Sequence, residues 1–153
     1  NRTIEKTKEI FTASGASIVN VKKEIDGFIL NRLQGALLNE AMRLYSDGYA
    51  SSDEIDATIR DGLGLRWAFM GPFETIDLNA PGGIKDYISR YGLMYIEMAK
   101  NQTKIPDWSE EAGKKLEIER RKILGHDELE NRAKKRNQLL KSLRKVKIDN
   151  GEA

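Results

Sequence analysis

Apolar residues recur at three- and four-residue intervals along most of this chain, the spacing of helices rather than strands. Residues 3–13, TIEKTKEIFTA, predict a short helix with Ile4, Thr7, Lys8 and Phe11 on one face, Thr3 as a candidate N-cap and Ser14-Gly15 as its end. The stretch ASIVNVKKE follows, and Ile18 and Val19 suggest a short strand. One strand beside one helix cannot cover both its faces, so this strand reads as the trailing edge of a sheet whose body lies upstream. From Asp26 onward the pattern is helical throughout. Residues 27–46 are apolar around most of the circumference, with Phe28, Ile29, Leu30, Leu33, Leu37 and Leu38 in the first turns. A helix of that kind is expected in the centre of a bundle.

Shorter elements follow. Ser51-Ser52-Asp53-Glu54 has the S-x-x-E spacing of a capping box and opens a helix with Ile55 and Ile59 inward. GLGLRWAFMGP reads as a glycine-rich loop, and Pro72 as the first position of the next helix, with Glu74 in its first turn. NAPGG breaks that helix. Residues 84–99 carry a stripe of Ile84, Tyr87, Ile88, Tyr91, Met94, Tyr95 and Met98. Asp107 and Glu110 repeat a capping-box spacing before a densely charged section, residues 108–148, that predicts two helices broken near Gly125. There is no internal repeat.

Composition narrows the chemistry. The net charge is only +2, from 26 Lys and Arg against 24 Asp and Glu, so overall charge gives no reason to expect nucleic acid. Cysteine is absent, which excludes disulfides and thiolate-bound zinc and fits a reducing, cytoplasmic setting. No apolar run reaches the ~20 residues of a membrane span. The single histidine, His126, stands in the charged segment LGHDELENR and is expected at the surface, so a His-based dyad or multi-His metal site cannot be assembled elsewhere. Residues 132–147 hold eight Lys and Arg and no acid. They read either as a solvated helix docking its leucine edge on the body or on a second subunit, or as a surface for nucleic acid or an anionic membrane, and in the competing non-enzymatic class as a tail for an acidic partner.

Two motifs add a resemblance. Gly27, Phe28, Ile29, Asn31 and Arg32 make G-F-I-x-N-R at the head of the apolar helix, and Met70, Gly71, Pro72, Phe73 and Glu74 make M-G-P-F-E downstream. Over roughly residues 3–95 this resembles the C-terminal half of the 3-hydroxyacyl-CoA dehydrogenase family. GLGLRWAFMGPFETIDLNAPGG is similar to its λ-crystallin and L-gulonate 3-dehydrogenase branch. The resemblance implies an all-α bundle of the 6-phosphogluconate dehydrogenase C-terminal type, preceded by a short α/β remnant. Residues 1–25 would be the last helix and strand of a truncated NAD-binding Rossmann domain. Residues 26–153 would be the helical substrate and dimerisation domain with a charged tail.

It also implies an NAD-dependent oxidoreductase, a 3-hydroxy acid or acyl-CoA substrate, and a homodimer formed through the helical domain. No membrane or nucleic-acid partner is implied. The family's G-x-G-x-x-G turn is missing here, since GLGLRWAFMG follows a helix and has the wrong spacing, and the catalytic His and its Glu lie upstream of the matched region. The expectation is therefore a C-terminal piece that binds no NAD and is inactive alone. The competing class is a non-enzymatic helical dimerisation or partner-binding module, or a structural crystallin.

Three residues are candidates for the site. Asn31 either bonds nearby backbone or, as the resemblance implies, reaches into the substrate cleft and hydrogen-bonds the reacting oxygen, a role an uncharged amide suits. Arg32 is either a salt-bridge partner at the domain junction or a substrate contact. Arg66 is either solvated or a bidentate holder of a substrate carboxylate, which a sugar acid has and an acyl-CoA thioester lacks. Trp67 is expected to anchor the core, and Glu74 to serve its helix N-terminus.

Overall fold

A computed structural model describes residues 2–152. The elements are α1 (Arg2–Ala13), α2 (Phe28–Ser46), α3 (Ser52–Ala57), a π-helical segment (Thr58–Leu63), α4 (Gly64–Trp67), α5 (Pro72–Leu78), α6 (Gly83–Asn101), α7 (Glu110–Ile123), a 3-10 turn (His126–Glu128) and α8 (Leu129–Asp149). The all-helical class expected from the periodicity is what forms. The expected strand does not: residues 16–21 carry no regular structure, and the described residues contain no strand. A single strand has no ladder to join here, and Ile18 and Val19 stay exposed.

The chain divides into two compact units, one made of residues up to Gln34 and from Glu130 onward, the other of Gly35–Leu129. In the first unit α1 ends where Gly15 turns with φ 77°. There Arg144 of α8 donates from Nη2 to the Gly15 carbonyl at 2.9 Å, a cation meeting a helix C-terminus. No described side chain of this unit is buried. The first turns of α2 were expected inside a bundle. Instead Phe28, Leu30 and Leu33 are 63%, 75% and 60% exposed.

The second unit holds every buried residue among those described: Met42, Ser52, Thr75, Ala80 and Ala112. Its helices start where the side chains cap them. The Ser51 hydroxyl accepts from the Glu54 amide, and Glu54 Oε2 accepts from the Ser51 amide at 2.8 Å, so the predicted capping box forms. Gly71 and Pro72 open α5 as read from sequence, and Thr75 N–H and hydroxyl both donate to the Gly71 carbonyl, at 3.0 and 2.8 Å. Asp77 Oδ1 accepts from the Ile84 amide and Asp86 Oδ2 from the Gly82 amide, tying down the start of α6. Ser109 caps α7, while Asp107 accepts from the Ser109 amide rather than forming the expected box with Glu110.

The stretch read as a loop after α3 is helical as far as Trp67, and only residues 68–71 stay outside a helix. Thr58–Leu63 continues α3 as a π-helix and passes into α4. Gly62 and Gly64 look like breakers in sequence, yet the Gly64 amide bonds the Ile59 carbonyl, and a Cβ at Gly64 would stand 2.8 Å from that oxygen. Here glycine permits a wide turn rather than ending the helix.

Candidate functional site

In the first unit, the G-F-I-x-N-R motif forms the entry to α2. Gly27 has φ 81° and Phe28 φ 47°, two consecutive left-handed residues before the helix. Glycine adopts this freely, but a phenylalanine does so at a cost of about 1–2 kcal/mol. Strain of this sort concentrates at functional sites. The turn delivers Asn31 and Arg32 one turn into α2, both exposed. Neither the Asn31 amide nor the Arg32 guanidinium has a side-chain partner among the described residues. Among the described residues the Asn31 amide makes no bond to nearby backbone, and Arg32 pairs with no acid.

In the second unit, Arg66 sits on α4, exposed and without an acid partner among the described residues, while its carbonyl accepts from the Phe69 and Met70 amides. Trp67, expected as a core anchor, is 40% exposed, and Phe69 also faces outward. Trp67 is the last residue of the four-residue helix α4, too short to cover an indole by itself. Glu74 lies in the first turn of α5 as expected, and His126 is exposed.

The structure joins groups that no motif marked. On α6, Tyr87 and Tyr95 share a hydrogen bond between their hydroxyls at 2.7 Å, and Tyr91 packs against Tyr87 with ring centroids 4.8 Å apart. The Tyr95 hydroxyl and loss of solvent raise the Tyr87 pKa above the usual phenol value, against an opposing pull from the Arg66 charge. Glu119 of α7 accepts from the Ser52 amide at 2.6 Å, at the start of α3. Ser52, whose amide donates to it, and then Tyr45 hold the Glu119 pKa below the usual carboxylate value. Arg120 pairs with Asp56 at 3.2 Å, and Trp108 Nε1 donates to Asn39 at 3.0 Å. These contacts, with the Arg43 bond to the Lys104 carbonyl and the Lys104–Asp47 ion pair, bind α2, α3, α7 and the segment before α7 into one body. The stripe spacing of Tyr87, Tyr91 and Tyr95 was visible in sequence. Pairings across 67 and 69 residues, such as Ser52–Glu119 and Asn39–Trp108, leave no local signal.

No group of His, Asp and Glu among the described residues is placed to hold a metal ion, and no described helix is long and apolar enough to cross a membrane.

An all-helical second unit, an entry motif that bends the chain into α2, and a Gly-Pro helix start downstream mark an all-α domain. Residues 27–126 match the family described as 3-hydroxyacyl-CoA dehydrogenase, C-terminal domain, and the chain belongs to that family. It is 44% identical over 107 residues to λ-crystallin of the rabbit, Oryctolagus cuniculus, covering 70% of this chain and 33% of that protein. It is 47% identical over 90 residues to L-carnitine dehydrogenase of Pseudomonas putida, covering 58% of this chain and 28% of that protein. The λ-crystallin homolog of Homo sapiens is 37% identical over 114 residues, 74% of this chain and 35% of that protein. The chain thus spans about a third of the length of these curated relatives.

Proposed function

We propose that this chain is the substrate-side domain of an NAD-dependent oxidoreductase that acts on a secondary hydroxyl at C3 of a small 3-hydroxy acid or acyl thioester. It would work in the cytoplasm as a homodimer. The observation that carries the reading is the strained Gly27–Phe28 entry with Asn31 just beyond it, exposed and unpaired, in the segment that matches the family.

In this reading Asn31 donates from its amide to the substrate oxygen as charge develops there, and the exposed start of α2 forms the far wall of the cleft. Among the described residues no glycine turn lies between a strand and a helix, so they do not fit a dinucleotide pyrophosphate. NAD, held by a further domain, would supply the hydride acceptor. The hydroxyl proton would pass to a base outside this chain, by resemblance a histidine. The apolar face near the head of α2 is the surface that such a domain would cover.

Dimerisation rests on α6. Leu93 is 78% exposed and Ile96 also points outward, on the side of the helix roughly opposite the tyrosines. An isologous contact there would bury both.

The test is Asn31→Ala in a protein extended to the length of the relatives. Loss of one preorganised donor predicts a fall in kcat/KM of roughly 10²-fold or more, carried mainly by kcat. Unchanged kcat/KM would remove Asn31 from the chemistry.

A second reading has its own observation. α8 leaves Leu139, Leu140 and Val146 exposed among its cations, as an acidic protein partner would require. Such a module would bind its partner without NADH and lose it on deletion of residues 132–147.

A further inference from the structure

The second unit holds a half-open cavity of about 190 Å³ between α2, α3 and α7. Its walls are mostly apolar: Leu38 and Met42 of α2, Ile55 of α3, Leu116 of α7, and Trp108 from the segment before α7. Leu38 and Trp108 are also exposed, so the space is open to solvent. The polar groups of the lining belong to Tyr45, Ser52, Asp56 and Trp108. Trp108 Nε1 is spent on Asn39, and Asp56 on Arg120. Tyr45 has Glu119 for a neighbour. Ser52 differs from these. It is 7% exposed, its amide donates to Glu119, and its hydroxyl is buried with no hydrogen-bond partner. A buried hydroxyl left without a partner is unfavourable, and its proton is free to rotate toward an acceptor.

We infer that this cavity is a binding site for a small neutral ketone or alcohol, held by the apolar walls and by one hydrogen bond to the Ser52 hydroxyl. A closed apolar cavity of about 150 Å³ takes a benzene ring, so this one suits a six-membered ring or short chain of about seven heavy atoms. Apolar area supplies the affinity, and the single hydroxyl fixes the orientation. An anion is disfavoured, because no lining residue is cationic and the Asp56 carboxylate stands in the wall. All the lining residues lie within Gly35–Leu129, a unit that does not contain Asn31. The site therefore goes beyond the dehydrogenase reading and does not rest on it.

The test follows the Met42 methyl and Trp108 Nε1–H signals by NMR while the whole chain is titrated with cyclohexanone, with methylenecyclohexane and with hexanoate. Methylenecyclohexane keeps the shape of the ketone but has CH2 in place of the oxygen. The expected result is saturable shifts of both signals with cyclohexanone, which binds roughly fivefold tighter than methylenecyclohexane, the size of one net hydrogen bond. Hexanoate should not saturate. Ser52→Ala removes a hydroxyl that has no partner, so the fold should persist and the two neutral ligands should bind equally. Ala41→Leu adds bulk to the wall and should weaken both.

No saturation with cyclohexanone, or equal binding of ketone and hydrocarbon by the parent chain, would overturn the site without recourse to any variant. Hexanoate binding as tight as the ketone, or a ketone preference that survives Ser52→Ala, would also overturn it. Shifts of Met42 and Trp108 with protein concentration alone would give the cavity to a side chain of a second copy and overturn it as well. NADH formation by the extended protein tests the dehydrogenase reading separately, so the failure of one is distinct from the failure of the other.

Discussion

At the scale of single residues, the entry to α2 is the most constrained point of the chain. Gly27 at φ 81° accepts its conformation because it has no Cβ, while Phe28 at φ 47° holds its own against steric cost. Gly27→Ala should destabilise the protein by about 1 kcal/mol, read as a lower midpoint in urea unfolding at unchanged slope. Phe28→Gly relieves the strain at that position but loosens the unfolded chain and removes the ring, so it should leave stability near the parent value while lowering turnover in the extended protein. A Phe28→Gly protein with parental kcat would separate the turn from the chemistry. The motif was legible in sequence because G-F-I-x-N-R is contiguous. Its left-handed phenylalanine was not, because side-chain identity there argues for ordinary helix.

Among the elements, α7 is joined to α3 by Glu119 at the Ser52 amide and by Arg120 at Asp56. Glu119 has its pKa lowered in the folded chain by Ser52, whose amide donates to it, and by Tyr45. Its contribution to stability is therefore complete above the unfolded carboxylate value, about 4.3, and is lost as pH falls through the lower folded value. Glu119→Gln should reduce stability at pH 7 and flatten its decline in acid, measured by thermal midpoints from pH 7 to pH 3. Parallel curves for the two proteins would contradict the pairing. Ser51→Ala removes the hydroxyl that caps α3 and should cost about 1 kcal/mol.

Helix positions followed from periodicity wherever a cap or proline stood at the start, as at Ser51 and Pro72. Two elements escaped it. The Thr58–Leu63 turn was hidden because its glycines mimic a loop, and the residues 16–21 strand fails to form because pairing needs a partner strand that no local pattern supplies.

For the whole molecule, the exposed apolar surface of α2 and α6 sets the account. The periodicity showed which faces were apolar, but not which of them stay exposed, since cover depends on tertiary packing that no local pattern reports. Leu93→Lys with Ile96→Lys should convert a dimer to a monomer in light scattering without changing the helical signal. A dimer that survives both changes would place the contact elsewhere. Asn31 and Arg66 were named from sequence as candidates, and the structure leaves both side chains unpaired. The Tyr87–Tyr95 bond emerged only once α6 placed residues eight apart on one face. The most direct measurement is NADH formation by the protein extended to the length of its relatives, with L-gulonate, L-carnitine and 3-hydroxybutyrate each set beside 3-hydroxybutyryl-CoA. The account predicts turnover of at least one of these substrates, lost on Asn31→Ala. A folded protein that forms no NADH with any of them would contradict it.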